Sequence, residues 1–198
     1  MRKHSVLLLA LAVVSVSFSS ASSVFGQTSA KSTQQVAWDL GHTLSLAAVG
    51  HGEEIAPVTV NNLFVKAKAN AATLNMTLPD LPAKTSDKTK NKASVLGYML
   101  NTAGKPIGET LTAKYDKEHA TLFELALKSN VLLMMYGPGE STTQAIANVI
   151  RTRSERLSLP PKITANLLGL IEAGADYSKV KSAVFQMHSD VANYLRTK

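Results

Sequence analysis

The chain has 198 residues, 45% of them hydrophobic and 18% charged, with a formal charge of +7. Such a composition belongs to a chain that folds rather than one that stays disordered. It holds 0 Cys, 7 Pro and 11 Gly, which excludes a disulfide scaffold, a thiolate zinc site, a cysteine nucleophile, an iron–sulfur cluster, covalent c-type haem and collagen-like or Pro-rich fibres.

The first 26 residues have the layout of a secretory signal peptide. Arg2 and Lys3 give a positive start, and Val6 to Phe18 form an apolar run broken only by serine. Ser19, Ser20, Ala21, Ser22 and Ser23 follow as small residues. The run is shorter than the roughly 20 residues a membrane span needs. Cleavage is expected after Ala21 or Gly26, giving an exported protein of the periplasm or the extracellular space. Once released, it is not expected to be an integral membrane protein. Residues 27–35 (QTSAKSTQQ) read as a flexible polar segment, and 36–198 as one domain.

Within that domain the apolar spacing is helical nearly throughout. Val36, Leu40, Thr43, Leu44 and Ala47 mark a first helix, stopped by Gly50-His51-Gly52. Pro57 suits the first turn of a second, whose stripe is Val60, Leu63, Phe64, Ala67, Ala71 and Leu74. The prolines in Leu78–Lys84 predict a loop. Ser86 is the expected N-cap of a third helix, with Val95, Leu96, Met99 and Leu100 on its stripe and Gly104 at its end. A long fourth helix is expected from Ile107 through Tyr115, His119, Leu122, Leu125 and Leu132 to Gly137. Its second half is apolar on most sides and predicts a central, buried rod. Ser141 and Gln144 form an S-x-x-Q capping box for a fifth. Pro160-Pro161 opens a sixth, which Gly174 closes, and Asp176 caps a seventh. The fold class is all-α, a bundle of about seven helices.

A faint internal echo pairs Leu40 with Leu127, Leu44 with Val131, Leu46 with Leu133 and Gly50 with Gly137. It suggests two pseudo-repeated halves that share the long central helix. Two copies are too few for a solenoid.

Chemistry is thinly signalled. His42, His51, His119 and His188 show no H-x-x-x-H or H-E-x-x-H spacing. His119 and His188 lie on apolar stripes of different helices, so they are the pair whose convergence would make a haem or metal site. Each reads more simply as a core-edge histidine bonded to the protein. Met76, Met99, Met134, Met135 and Met187 read as core filling rather than a copper tract. Gly137-Pro138-Gly139-Glu140-Ser141 lacks the G-x-S-x-G of a nucleophile elbow. Glu53-Glu54 sit where a helix dipole favours acids. No phosphate-binding glycine loop is present.

Two basic groups, Lys84/Lys88/Lys90/Lys92 and Arg151/Arg153/Arg156, carry no interleaved aromatics, which argues against a nucleic-acid platform. They read as solvated faces. Trp38 reads as a packing anchor. Asn75-Met76-Thr77 matches a glycosylation sequon, meaningful only in a eukaryotic source. No catalytic residue, metal or cofactor is expected. The expected role is non-catalytic: a protein-interaction or envelope-associated module whose partner is a protein or an anionic envelope component. The alternative is a small-molecule, haem or metal-binding bundle, and behind it a hydrolase-type enzyme.

Overall fold

The computed structural model describes residues 31–52, 56–136 and 140–198, with the backbone only at 140–143 and 146. The expected leader, the start of the polar segment, Glu53-Glu54, the Gly137–Gly139 turn and the Ser141 side chain lie outside the described residues. The described residues are all-helical: α1 (Thr33–Gly52), α2 (Pro57–Thr73), α3 (Lys88–Gly97), a π-turn (Tyr98–Thr102), α4 (Gly104–Lys114), α5 (Lys117–Met135), α6 (Glu140–Arg156), α7 (Lys162–Glu172) and α8 (Tyr177–Thr197). No strand forms among these residues, and no helix is long and apolar enough to cross a membrane.

Local chemistry explains most boundaries. Pro57 opens α2, as its fixed φ favours. The Asp176 carboxylate caps α8 by accepting from the Lys179 amide at 3.1 Å. Gly174 closes α7 at φ 61°. The third helix is capped one residue later than expected: Asp87, not Ser86, accepts from the amides of Thr89 and Lys90.

Two expectations fail for a physical reason. The polar segment does not extend to Gln35, because α1 begins at Thr33. Ser32 and Gln35 form a capping box of their own. The Gln35 amide donates to Ser32 Oγ at 3.2 Å, and the Ser32 amide donates to Gln35 Oε1 at 2.9 Å. The long fourth helix is two helices. Asp116 leaves helical geometry and accepts from the His119 amide at 2.9 Å, which restarts the chain as α5. That break makes eight α-helices among the described residues, where about seven were expected.

The centre is a pair of helices rather than a single rod. Ala37, Gly41, Ser45 and Ala48 lie at i, i+4, i+8 and i+11 on α1, a stripe of small residues that lets α5 come close. A Cβ on Gly41 would sit 2.4 Å from the Phe123 carbonyl oxygen and 3.0 Å from the Ala126 Cβ. The contacts climb both helices in the same direction. Thr33 meets His119, Gly41 lies on Phe123 and Ala126, Ser45 meets Asn130, and Gly52 faces Met134. α1 and α5 therefore run parallel and nearly in the register of the sequence echo.

The echo extends outward from this pair. α2 packs on α1 and α6 on α5, while α4 reaches α5 and α8 reaches α1. α2 and α6 end in the same closing turn: the amide of Met76 donates to Ala71 O, and that of Leu159 to Ser154 O. Asn75 and Ser158 take the left-handed position there, at φ 55° and 50°. Two apolar cores result. One lies among α1–α5 around Leu40, Leu44, Met99, Phe123 and Leu127. The other lies among α5–α8 and the Trp38 flank of α1, around Trp38, Leu125, Ile150, Leu167 and Val184.

Gly41→Ala is expected to destabilise the fold by about 1–3 kcal/mol through overpacking of two backbones. Ser158→Gly is expected to stabilise it by about 0.5–1 kcal/mol, because glycine adopts the left-handed turn without Cβ strain. Urea midpoints of both variants check the two signs.

Candidate functional site

Trp38, His42 and Ser45 recur at i, i+4 and i+7 on α1, which sets them on one face. Ser129 and Asn130 of α5 and His188 of α8 meet that face. The Nδ1 atoms of His42 and His188 are hydrogen-bonded to each other. His188 Nε2 meets Ser129 Oγ at 2.6 Å, and Ser129 Oγ lies 3.0 Å from the Ala126 carbonyl. The Trp38 ring packs 5.1 Å from the His188 ring, centroid to centroid. Below them Asn130 Nδ2 donates to Ser45 Oγ at 2.7 Å, and Ser45 donates to Gly41 O at 2.7 Å.

The order of hydrogens in this chain follows from the acceptors available. A Ser129 hydroxyl that donates to Ala126 O has its oxygen free to accept from His188 Nε2–H. His188 Nδ1 is then a bare lone pair, and His42 Nδ1–H donates to it. Both imidazoles are held neutral. Burial keeps His188 well below the usual histidine range, and the neighbouring His42 adds to that. Burial also lowers His42, with Asp39 pulling the other way.

Two histidines therefore do converge, but one of them is not the residue expected. His119 does not approach His188. Its ring is bonded to the Asp116 carboxylate (Nδ1, 2.8 Å) and to the Thr33 hydroxyl (Nε2, 2.8 Å), and it stacks on Tyr115. It ties the start of α5 to the start of α1. The His119 ring hydrogen bond, ahead of smaller contributions, lowers the Asp116 carboxyl. His51 is bonded to the Pro82 carbonyl at 2.8 Å, as a structural histidine is. Ser129, His188 and His42 also stand in the order of a nucleophile relay. Ser129, however, is fully buried.

The methionines are mostly packing. Met99, Met134 and Met187 are buried and Met76 packs on the first core, while Met135 is part exposed. No group of three or more His, Cys, Asp or Glu converges among the described residues. Lys84, Lys88, Lys90 and Lys92 are exposed. The arginine cluster is divided. Arg151 pairs with Glu172 at 2.6 Å, and Arg153 with Glu124, whose second cation is Lys128 at 3.4 Å. Burial alone would raise the Glu124 carboxyl, but Arg153 and Lys128 outweigh it and the group is lowered.

Glu124 is shared by two open clefts that meet along α5. One, of about 580 Å³, is floored by Met99, Leu100, Gly104, Gly108 and Leu127. The other, of about 660 Å³, is lined by Lys117, Thr121, Arg156, Ser158 and Lys198. Both also contain Thr112. Sequence reasoning missed this surface. Its only sequence signal is the Gly104–Gly108–Thr112 spacing, i, i+4 and i+8 on α4.

No protein-family model matches the chain, and neither a curated protein nor a solved structure shows significant similarity to it.

The neutral histidine pair makes stability sensitive to acid. Because both imidazoles are lowered in the folded protein, the unfolded chain takes up the proton first. Their contribution is complete above pH 6.5, the ordinary histidine value, and is lost as pH falls below it. The slope is about 1.4 kcal/mol per pH unit for each proton bound only by the unfolded chain. His51, also lowered by burial, adds to the same limb. Glu124 is lowered from 4.5 and Asp116 from 3.8, so both enter at lower pH. His188→Leu is expected to flatten the fall of the urea midpoint between pH 6.5 and 4.5. An equally steep fall in the variant would locate the acid sensitivity elsewhere.

Proposed function

We propose that the chain is an exported, non-catalytic helical binding module whose binding face is the double cleft along α4, α5 and the end of α6. One observation carries this reading: an apolar half and a cationic half meet at a fixed ion pair. Met99, Leu100 and Leu127 supply the apolar half. Lys117, Arg156 and Lys198 supply the cationic half, with Glu118 engaged by Lys198 at 2.9 Å. Glu124, clamped by Arg153 and Lys128, separates them. Such a surface fits a partner with an apolar portion and an anionic portion, as an amphiphilic envelope component or an acidic amphipathic segment has.

Several features support this over an enzyme. The Ser–His–His relay is enclosed by packed helices, whereas the clefts are open. The cleft polar groups are cations, hydroxyls and three carboxylates, each engaged by a cation: Glu109 by Lys105, Glu118 by Lys198, and Glu124 by Arg153 and Lys128. None is a general base set beside a nucleophile. The leader-like N-terminus supports export, and the excess of basic residues supports an anionic partner.

The test fills the cleft without touching the core. A Cβ on Gly108 would meet Glu124 Oε1 at 3.4 Å, an ordinary contact, so Gly108→Leu projects into the apolar half of a folded protein. Wild type is expected to float with vesicles containing anionic lipid and not with neutral ones. Gly108→Leu and Arg156→Glu should each weaken flotation about tenfold or more, a loss of at least about 1.4 kcal/mol. Equal flotation by wild type and both variants, or none by wild type, would remove the cleft from the function.

A further inference from the structure

We propose that the outward face of α2 is the contact surface for a second copy of this chain, so that two chains pair along parallel α2 helices about a twofold axis. This stands independently of the clefts, which include no residue of α2. Val60, Phe64, Ala67 and Ala71 face the first core. Val58, Asn62, Val65, Ala69 and Ala72 recur at steps of four, three, four and three on the other side of the helix, and all of them are exposed. Val58 (66%) and Val65 (56%) are the most exposed large apolar side chains among the described residues.

The second half of the molecule supplies the comparison. The shared closing turn sets Ala71 against Ser154. In that register Phe64, Ala67 and Leu74 fall on Ala147, Ile150 and Leu157, and both sets are buried. The outward positions agree in exposure but not in kind: Val65, Ala69 and Ala72 fall on Asn148, Thr152 and Glu155. Where this face meets water on α6 the chain carries polar groups, and on α2 it carries apolar ones. The order reverses only at Asn62, which falls on Ala145. An exposed seam that is apolar except for one asparagine is the pattern of a helix that pairs with another.

The same pattern selects a second copy as the occupant. A lone asparagine in such a seam is costly against an apolar partner, and it fixes the register when it meets its own counterpart. Parallel pairing about a twofold axis sets Asn62 on its counterpart, where each carboxamide both donates and accepts. Antiparallel pairing would set it on an apolar residue of the seam. The flanks agree with parallel pairing. Asn61 and Lys68 border one edge of the seam, Lys66 and Thr73 the other. Across the axis Asn61 meets Lys66 and Lys68 meets Thr73, so no two like charges are opposed. Lys68 is moreover paired with Asp80 at 2.9 Å. Ala69 and Ala72 let the two backbones approach, as Gly41 does between α1 and α5. The helix has 17 residues and is thus about 25 Å long, so its face falls short of the roughly 1,200–2,000 Å² of a stable interface. The dimer is therefore a weak one, with a Kd of about 10–100 µM.

The test is sedimentation equilibrium of the full chain from about 1 µM to about 1 mM, a span that brackets such a Kd. The weight-average mass is expected to climb from one chain toward two. Val65→Glu should hold it at one chain throughout, with the helical circular dichroism unchanged because the position is exposed. The chain has 0 Cys, so single cysteines report the geometry without background. Val65→Cys and Ala72→Cys are each expected to form a disulfide-linked dimer under mild oxidation, about tenfold or more faster than Asn148→Cys on the matching face of α6. A chain that stays single across the whole range overturns the proposal, whether the Val65→Cys thiol is then open to reagent or shielded by another part of the chain. A dimer undiminished in Val65→Glu overturns the face. Crosslinking of Val65→Cys without that of Ala72→Cys overturns the parallel register. If Val65→Glu does not fold, the cysteine variants decide alone: rapid crosslinking of both supports the pairing, and rates no faster than that of Asn148→Cys overturn it.

Discussion

The structure depends on the approach of two parallel helices with almost nothing between them. Gly41 lies against the Phe123 carbonyl, and Ser45 against Asn130. Interaxial distance is set by the side chains at the contact, and here they are absent or small. Because α1 and α5 are so close, no layer of large side chains separates them, and the large residues of each are forced to the two flanks. Leu40 and Leu44 turn to one core, Trp38 to the other. Two cores around a pair, rather than one core around a rod, follow from that one spacing.

Close approach also explains why the polar seam survives. Ser45, Ser129 and Asn130 are fully buried, and each must find partners within the helices that enclose it. Ser45 and Ser129 bond helix carbonyls as well as their cross-helix partners. Asn130 satisfies its amide nitrogen on Ser45, while its Oδ1 meets no donor among the described residues. A buried, unpaired acceptor costs on the order of 1–3 kcal/mol. The α1–α5–α8 junction is thus the hardest part of the interior to assemble, and it holds the histidine pair.

Much of the fold was legible in the sequence because it is written locally. Pro57, Pro160-Pro161, Gly174 and Asp176 act through their own dihedrals or their nearest amides, and each marks the end its chemistry dictates. Asp116 acts just as locally but stands inside an apolar pattern that runs on in step, with Ile107, Leu111, Tyr115, His119 and Leu122 four or three apart. Periodicity therefore concealed the break. The Ser32/Gln35 box was concealed by composition, since its neighbours are all polar. The candidate site was less legible. The small-residue stripe Ala37–Gly41–Ser45–Ala48 is invisible to a search for large apolar residues. Without it nothing brings His42, rather than His119, opposite a residue 146 positions away. The paired echo was the one long-range signal, and it pointed at the right two helices.

The cleft traces back to one extra residue. The Ala103 amide donates to Tyr98 O at 2.8 Å, five residues back, so the chain makes a π-turn before α4. Such an insertion rotates the helix before it relative to the helix after it, and π-turns recur at functional sites. Here it keeps Tyr98 and Met99 in the core and leaves Leu100 at the surface, 38% exposed. It also demands glycine next: a Cβ at position 104 would fall 2.0 Å from the Met99 carbonyl oxygen. With Gly108 one turn later, α4 shows bare backbone beside Leu127 and the Glu124 ion pair. A regular helix there would have packed its stripe flush on α5 and left no opening. The backbone irregularity and the cleft are therefore one feature, and a substitution that restored regular α-geometry would close the surface proposed to bind.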